Sequence, residues 1–318
     1  MTQNMIVLSL LVAVLGCHDH FPQTPTPPTP PTAASVVVVD RLDRELRFEA
    51  IPRRIVSLSP STTELLFAIG AGPQVVGATK HCNYPDAAAE VPRVGAGTLE
   101  SISRETILSL QPDLVLCKWD THQPLVDPLT RLGISVIAIG PENLQALFQE
   151  ARLLGKVLGR ESEADALVDS MTMRLDHLTS LVEQIAPRER RSVFYEVWDD
   201  PLMTAGPNSF IGELLTLGGM QNIFADTSVR YPKVSGEVVV HRNPEVILAP
   251  STHADQVSVQ QLLSRQGWSE ITAIREQQVF LIDGDQVSRC GPRLIDALEQ
   301  MITAVYPDQM VMMKGSNL

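Results

Sequence analysis

The sequence predicts an α/β protein of two α/β lobes with mostly parallel sheets, joined by one long α-helix. Its 318 residues are enough for two domains with substantial cores. Short apolar runs rich in β-branched residues alternate with helical stretches on both sides of the middle of the chain, a pattern typical of parallel sheets. Between the two halves, residues 161–186 have apolar residues at helical spacing, and Pro187 follows. We interpret this stretch as a rigid helix that links the lobes, with its aliphatic stripe packed in the core.

Residues 1–35 precede the predicted fold. Residues 5–15 form an apolar run that is too short to span a bilayer but suits the core of a signal peptide. Gly16 and Cys17 then resemble a lipoprotein cleavage box. We therefore expect residues 1–17 to be a signal peptide, with Cys17 lipidated and the exported chain held at the outer face of a membrane by a lipid anchor. The Pro/Thr-rich residues 18–35 predict an extended spacer.

The first lobe is predicted over residues 36–160 and begins with a hairpin at 36–49. A strand at 54–58 ends at Ser59-Pro60, and a helix starts at Ser61, because Ser61 and Glu64 form the S-x-x-E pattern of a capping box. A strand at 75–79 and a polar loop at 80–86 follow. Further helices are expected at 103–110, 124–132 and 143–158, and further strands at 114–117 and 135–139.

The second lobe is predicted over residues 187–307 and repeats the alternation. Strands are expected at 192–197, 202–205, 246–249 and 279–282. Helices are expected at 210–217, 235–242, 259–265 and 293–305. The Met-rich residues 308–318 show no pattern, and we expect them to be disordered.

The scarce aromatic residues are placed where a ligand could be held. Tyr84, Trp119, Trp198 and Tyr231 all fall in predicted loops or turns, two of them directly after strands. Ligands of open α/β sheets collect at the carboxyl ends of strands and at helix N-termini, so these side chains are expected to face a cleft between the lobes. The alternative for each is that it fills the end of its own lobe.

Four segments of the chain resemble one known family. They are RIVSLSPSTTELLFAIG (54–70), VVGATKHCNYP (75–85), SRETILSLQPDLVL (103–116) and VRYPKVSGEVVVHRNPEVIL (229–248). They are similar to segments of the vitamin B12 (cobalamin) binding proteins of ABC importers, which belong to the wider class of solute-binding proteins for siderophores, haem and corrinoids. The resemblance implies a protein that captures a corrinoid between its lobes and delivers it to permease subunits.

The resemblance also implies roles for individual residues. Glu105 and Glu237 align with the glutamates that dock this family on the two permease subunits, although an acid in the first turn of a helix is also favoured by the helix dipole. Arg289 lies in a segment, Arg289-Cys290-Gly291-Pro292-Arg293, that resembles a variant from the wider family. The predicted ligand-binding residues are Ser61, Cys82, Asn83, Tyr84, Trp119, Trp198, Tyr231 and Arg289. A ferric siderophore or haem is the alternative ligand, with Arg289 and Arg293 as cationic contacts for a siderophore.

The cysteines leave two alternatives open. With Cys17 lipidated, three remain, so at most one pair can form within a monomer. Either Cys82 pairs with Cys117, or Cys82 faces the cleft beside His81. There is no C-x-x-C or H-x-x-x-H pattern, and we expect no metal site and no cofactor. A single histidine could still act as an axial ligand, the candidates being His81, His122, His241 and His253.

Composition and motifs exclude other classes of function. The net charge of −12 argues against a nucleic-acid partner. The sequence has no G-x-S-x-G motif and no phosphate-binding or dinucleotide-binding glycine pattern, so we expect a protein that is not an enzyme. We also expect it to be a monomer. Two alternatives remain: an exported α/β enzyme that uses Ser61 or Cys82, and a corrinoid-scavenging surface protein without a transporter.

Overall fold

The computed structural model of the chain describes residues 35–251 and 258–309. Two sheets, each flanked by helices, are joined by one long helix, and both sheets are mostly parallel. The predicted fold class is confirmed. The predicted signal peptide, Cys17, the spacer up to residue 34 and His253 lie outside the described residues. So do residues 310–318, whereas residues 308 and 309 of the predicted disordered tail are helical. Among the described helices, none combines the length and apolar character needed to cross a membrane.

The first lobe (N-lobe) is built on a four-stranded parallel sheet in the order β4-β3-β5-β6. Its strands are short and apolar because both faces are covered, as the fully buried Val115 and Leu116 show. The predicted hairpin is present: β1 and β2 pair antiparallel, and they form a two-stranded sheet of their own. The elements are β1 (Val36–Val39), β2 (Glu45–Phe48), β3 (Ile55–Ser57), α1 (Pro60–Ala68), β4 (Val75–Ala78), α2 (Asp86–Ala89), α3 (Arg104–Ser109), β5 (Leu114–Lys118), α4 (Gln123–Arg131), β6 (Ser135–Ile139) and α5 (Leu144–Leu158).

The long connecting helix, α6, spans Glu161–Val182 and has 22 residues. It follows Gly159, whose left-handed φ of +62° ends α5 and turns the chain. At 1.5 Å per residue α6 is about 33 Å long, enough to run along both lobes. It packs against α5 and against the last helix of the chain, α12 (Leu294–Val305).

The second lobe (C-lobe) has a sheet in the order β11-β10-β7-β8, and β9 also pairs with β7. All its pairings are parallel except β7–β8. The elements are β7 (Ser192–Asp199), β8 (Leu202–Thr204), α7 (Phe210–Leu217), β9 (Gln221–Asn222), α8 (Gly236–Arg242), β10 (Val246–Pro250), α9 (Val259–Leu263), α10 (Thr272–Arg275), β11 (Val279–Ile282), α11 (Gly284–Val287) and α12 (Leu294–Val305).

One apolar core extends through both lobes and the connecting helix. It contains Leu65 and Leu116 of the N-lobe, Leu178 of α6, and Tyr195 and Leu298 of the C-lobe. Close-packed interiors resist relative movement of their parts. The continuous core therefore holds the two lobes in a defined arrangement, and the cleft between them is largely pre-formed.

Candidate ligand-binding site

A cleft of about 290 Å³ lies where loops of the two lobes meet. The N-lobe contributes the segments that follow β3, β5 and β6, at the carboxyl ends of parallel strands. The C-lobe contributes the start of α7, the turn at Arg230-Tyr231 and the segment 288–290. The cleft therefore lies where open α/β sheets place their ligands.

The N-terminus of α1 differs from its prediction. The helix begins at Pro60, with Ser59 as the N-cap, and Ser59 makes no capping hydrogen bond through its side chain. Proline at the first helical position stabilises this start, since its missing N–H has no partner there in any case. Ser61 lines the cleft, with its hydroxyl 3.0 Å from that of Ser59. The capping box predicted from Ser61 and Glu64 is wrong, because the Glu64 side chain is engaged elsewhere.

Glu64 forms a buried ion-pair bridge between the lobes. Its carboxylate accepts hydrogen bonds from Arg289 at 2.8 Å and from Arg293 at 2.7 and 2.9 Å. The side chain of Glu64 is 2% exposed, and those of the two arginines are 10% and 13% exposed. A buried carboxylate must be paired to remain charged, and here both of its partners belong to the other lobe. We call these three residues the Glu64 bridge.

Two predicted ligand residues lie beside the Glu64 bridge. Asn83 donates to Asp285 at 3.0 Å, and Asp285 in turn pairs with Arg289 at 2.8 Å. The ring of Tyr84 lies 3.9 Å from the Arg293 guanidinium and is 45% exposed. Both side chains make contacts between the lobes, and neither lines the cleft.

A second ion-pair group crosses the mouth of the cleft. Glu142, after β6, pairs with Arg230 of the C-lobe and, at 2.9 Å, with Arg41 of the N-lobe. The hydrogen bond from Arg230 holds the pKa of Glu142 below its ordinary value. We call the Glu142–Arg230 pair the rim bridge. It is more exposed than the Glu64 bridge, with Arg230 49% exposed.

The buried carboxyl group of Glu150 contacts the segment that carries Glu142. Glu150 accepts a hydrogen bond from the Gly140 N–H at 2.9 Å, and its other oxygen has no partner among the described residues. Burial raises the pKa of Glu150 to about 7. Gly140 itself has a φ of +142°, and a Cβ there would lie 3.3 Å from the ring of Trp119. Glycine therefore lets this aromatic ring close over the backbone at the cleft.

Two of the four predicted aromatic residues line the cleft. Trp119, after β5, lies near Arg41, whose guanidinium is 5.5 Å from the ring centre. Tyr231 packs edge-on against Phe210, with ring centres 6.4 Å apart. Burial raises the pKa of Tyr231, so its phenol is neutral at physiological pH. Trp198 is not among the cleft-lining residues. It lies within β7 rather than after it, since the strand continues through an irregular pairing of Trp198 with Met203.

The structure contradicts the expectation that Cys82 is exposed to the cleft. The side chain is 1% exposed, its sulfur lies 3.1 Å from the Thr79 hydroxyl, and it does not line the cleft. Cys82 and Cys117 are not paired with each other, and Cys117 is buried in β5. Burial raises the pKa of the Cys117 thiol to about 12. Of the described cysteines, Cys290 lines the cleft, although it was not among the predicted ligand-binding residues.

The histidines offer little for coordinating a metal. His122 is buried, and both of its ring nitrogens are engaged, one with the Lys118 N–H at 3.1 Å and the other with the Gly97 carbonyl at 2.8 Å. His81 and His241 are exposed and lie outside the cleft. Within residues 35–251 and 258–309, no three His, Cys, Asp or Glu side chains are grouped so that they could hold a metal ion.

Glu105 and Glu237 occupy equivalent places in the two lobes. Each is the second residue of a short helix that follows a serine, and each is exposed. Each is followed seven positions later by a proline and then an acid. Asp113 accepts hydrogen bonds from the backbone N–H groups of the two residues just before β3. Glu245 accepts one from the backbone N–H of the first residue of β7. This short repeat, with the shared spacing S-x-E-x₆-P-[DE], is present in the sequence but was not among the predicted features.

Several residues of the cleft were missed by sequence reasoning. Glu142 could have been found, since it follows Gly140-Pro141 at the carboxyl end of a predicted strand. The pairing of Arg41 with Glu142 spans 101 positions and has no local signal. Other missed residues of the cleft include Lys118, Ser209, Phe210, Arg230 and Cys290. The bridging role of Glu64, whose partner Arg289 lines the cleft, was also missed.

Comparison with known proteins places these features in a family. The sequence profile of the family described as "Periplasmic binding protein" matches residues 55–286. An uncharacterized ABC transporter substrate-binding lipoprotein of Bacillus subtilis, YvrC, is 33% identical over 278 residues, which are 86% of each chain. The vitamin B12-binding protein of Vibrio cholerae is 30% identical over 252 residues, 79% of this chain and 88% of its own. The structure of the haem-binding protein RhuT from Roseiflexus sp. RS-1 superposes with a TM-score of 0.72 at 27% identity, covering 81% of this chain and 99% of its own.

Proposed function

Because the chain belongs to the periplasmic binding protein family, we propose that it captures a corrinoid in the cleft between its lobes and delivers it to an ABC permease. Its class is that of the solute-binding proteins of ABC transporters for vitamin B12, haem and siderophores. Members of this family are transport components, so the prediction that the chain is not an enzyme and uses no catalytic cofactor is confirmed, and the alternative of an exported enzyme is wrong.

The observation that supports a corrinoid is the charge balance of the cleft. Among the described residues, the cations that line it are Lys118, Arg230 and Arg289. Each is already paired with a carboxylate: Lys118 with Asp120 at 2.8 Å, Arg230 with Glu142, and Arg289 with Glu64. An anionic ligand would have to displace one of these carboxylates and leave it unpaired, which is costly wherever the pair is desolvated. A ligand with a neutral amide rim does not need to break any of the pairs.

The walls of the cleft also suit a large planar ligand. Trp119 comes from the N-lobe, and Phe210 and Tyr231 come from the C-lobe. Aromatic faces bury large apolar area, while Ser61 and Ser209 provide hydroxyl groups beside them. We propose Ser61, Trp119, Tyr231 and Arg289 as direct ligand contacts. Asn83 and Tyr84 would act by holding the lobes together beside the ligand.

The size of the cleft suggests how a corrinoid would be admitted. Pockets that hold drug-sized ligands enclose about 300–1,000 Å³. At about 290 Å³ the cleft has room for the edge of a macrocycle and not for the whole ring. The rim bridge must therefore open. Exposed pairs of this kind contribute about 0–1 kcal/mol, so opening requires little free energy. The buried Glu64 bridge would stay closed and act as the fixed side of the cleft.

Docking on the permease would use Glu105 and Glu237. Their exposure and their matched places in the two lobes suit a partner made of two similar subunits. Charge reversal of both should reduce uptake by cells at least tenfold while ligand affinity stays within twofold of the wild type. Glu276→Lys, at another exposed acid, is the matched control. Uptake that is unchanged by the double reversal would contradict this role. Export and lipid anchoring through Cys17 complete the proposal, supported by the lipoprotein name of the Bacillus subtilis relative.

An absorbance titration tests the choice of ligand. The purified chain is added to cyanocobalamin and to aquocobalamin, with haem and a ferric siderophore in parallel samples. We expect stoichiometric binding of both corrinoids with little spectral change, because the described cleft brings no histidine to the cobalt. Binding of haem or the siderophore in place of the corrinoids would contradict the proposal.

A further inference from the structure

The short repeat that carries the docking acids, Glu105 and Glu237, extends to the backbone of both lobes. In each copy a serine precedes a short helix, and the helix is followed by a residue other than glycine with a left-handed φ. These residues are Gln111, with a φ of +48°, and Asn243, with a φ of +43°. A proline and then an acid follow each of them. The equal spacing in sequence therefore corresponds to an equal path of the backbone.

The acid at the end of each copy makes the same pair of hydrogen bonds with one residue of a neighbouring strand segment. Asp113 accepts from the N–H of Arg54 at 2.9 Å, and its own N–H donates to the Arg54 carbonyl at 3.0 Å. Glu245 accepts from the N–H of Ser192 at 2.7 Å, and its own N–H donates to the Ser192 carbonyl at 3.0 Å. We call Asp113 and Glu245 the clamp acids.

The strands that follow the clamp acids pair with their neighbours in the same register. Leu114 follows the clamp acid of the N-lobe and pairs with Ile55 of β3. Val246 follows that of the C-lobe and pairs with Val193 of β7. All four residues are fully buried, and all four strands are internal strands of their sheets. Each clamp acid is therefore fixed to the close-packed centre of its lobe, which resists displacement.

One short helix lies between each docking acid and the clamp acid of the same lobe. α3 has six residues and α8 has seven, and helices this short are not stable on their own. Ile107 of α3 and Val239 of α8 are fully buried, so one face of each helix is packed against its lobe. The clamp acids fix the chain just after each helix. The direction in which a helix presents its exposed docking acid therefore depends on the clamp as well as on the packed face.

We propose that Asp113 and Glu245 are positioning residues for permease docking, each holding the helix of its lobe so that Glu105 or Glu237 meets a cationic side chain of the partner. The proposal rests on the proposed function, because it assigns partner contacts to the two docking acids. Asp113 acts through Glu105, and Glu245 acts through Glu237. Neither clamp acid lines the cleft, so ligand affinity does not depend on them. Two equivalent clamps present two contacts in the same way, which suits a partner of two similar subunits.

A double-mutant cycle tests this assignment, with uptake of radiolabelled cyanocobalamin by cells that produce the full chain as the readout. Asp113→Ala removes the acceptor for the Arg54 N–H, and we expect uptake to fall about fivefold while the affinity for cyanocobalamin changes less than about twofold. If the clamp acts through Glu105, Asp113→Ala should lower uptake no further in a Glu105→Ala background. In a Glu237→Ala background the same substitution should still lower uptake about fivefold, because that contact belongs to the other lobe.

Two further variants separate positioning from a general loss of stability. The lobes use different acids at the same position, so Asp113→Glu should keep most of the uptake that Asp113→Ala loses. Ser258→Ala is the matched control, since it removes a hydrogen bond to the Gln261 N–H at the start of α9, a helix that carries no docking acid. It should leave uptake unchanged. If Asp113→Ala does not fold, Asp113→Asn takes its place in the cycle, because its amide keeps one acceptor oxygen.

The outcomes distinguish this inference from the proposed function. Full uptake by the clamp variant, or a loss that is undiminished when Glu105 is already alanine, would refute the positioning role and leave docking through Glu105 intact. Uptake that does not depend on Glu105 would contradict the docking role and this inference together.

Discussion

Replacing Glu64 by glutamine should destabilise the protein strongly, because it removes the charge on which the Glu64 bridge depends. The carboxylate is almost fully buried and accepts three hydrogen bonds from Arg289 and Arg293. Glutamine is similar in size and can still accept a hydrogen bond, so the packing changes little. The variant leaves two largely buried guanidinium groups without their shared counter-ion.

The expected magnitude follows from the burial of the group. Removing one partner of a buried ion pair costs about 3–5 kcal/mol. Arg289 keeps Asp285 as a partner, and Arg293 keeps its contact with the ring of Tyr84, so we expect the lower end, about 3 kcal/mol. In a domain of this size, 1 kcal/mol shifts the melting temperature by about 2–4 °C, which gives a loss of about 6–12 °C.

Thermal unfolding and urea titration followed by circular dichroism measure this effect. The matched control is Asp165→Asn, which breaks an ion pair with Arg152 of 3.0 Å in which the side chains are 59% and 52% exposed. Exposed pairs of this kind contribute about 0–1 kcal/mol, so the control should melt close to wild type. If Glu64→Gln melts no lower than Asp165→Asn, the bridge does not hold the lobes together and the reasoning is refuted.

Three further predictions concern pH, the aromatic walls and the rim bridge. The pKa of Glu150 is raised from an ordinary 4.5 to about 7, so the folded state binds the extra proton and its stability falls as pH rises from 4.5 to 7. Urea titrations should show that the free energy of unfolding of the wild type declines by about 3 kcal/mol over this pH range and that Glu150→Gln removes this decline. An equal dependence of the unfolding free energy on pH in both proteins would contradict the prediction. Trp119→Leu should weaken ligand binding about tenfold, whereas Trp198→Leu should change the affinity less than twofold. Calorimetric titration measures both affinities, and a larger loss in Trp198→Leu than in Trp119→Leu would contradict the assignment of Trp119 to the cleft. Glu142→Gln leaves Arg230 without its carboxylate, so haem affinity should rise relative to corrinoid affinity, and an unchanged ratio would argue against selection by charge balance.

Much of the fold could be predicted because its signals are local. The bounds of α7 and β11 agree with the prediction residue for residue, since apolar periodicity, a preceding serine or a following glycine marks them. The connecting helix ends at Val182, before the predicted end at residue 186, because the remaining residues before Pro187 leave the helical path. The short helices α2, α10 and α11 were not predicted, since four residues carry too little periodicity to be recognised.

The site was predicted less completely because its parts are distant in sequence. Trp119 and Tyr231 were placed in the cleft by their position after a strand and in a turn. Glu64, in contrast, was assigned to a local capping box, and its partners are 225 and 229 positions away. Cys82 was expected to be exposed because it follows a strand, yet the loop turns back and buries it against Thr79. Contacts between the lobes decide the outcome for Glu64, and the path of a loop within the N-lobe decides the outcome for Cys82.

The measurement that tests the proposed function most directly is a competition in equilibrium dialysis. The purified chain is dialysed against an equimolar mixture of cyanocobalamin, haem and a ferric tricatecholate siderophore, and the retained ligand is identified by its absorbance spectrum. Because the cations of the cleft are paired, we predict that cyanocobalamin is retained and that both anionic ligands pass through. Retention of haem or of the siderophore in place of the corrinoid would contradict selection by a charge-balanced cleft.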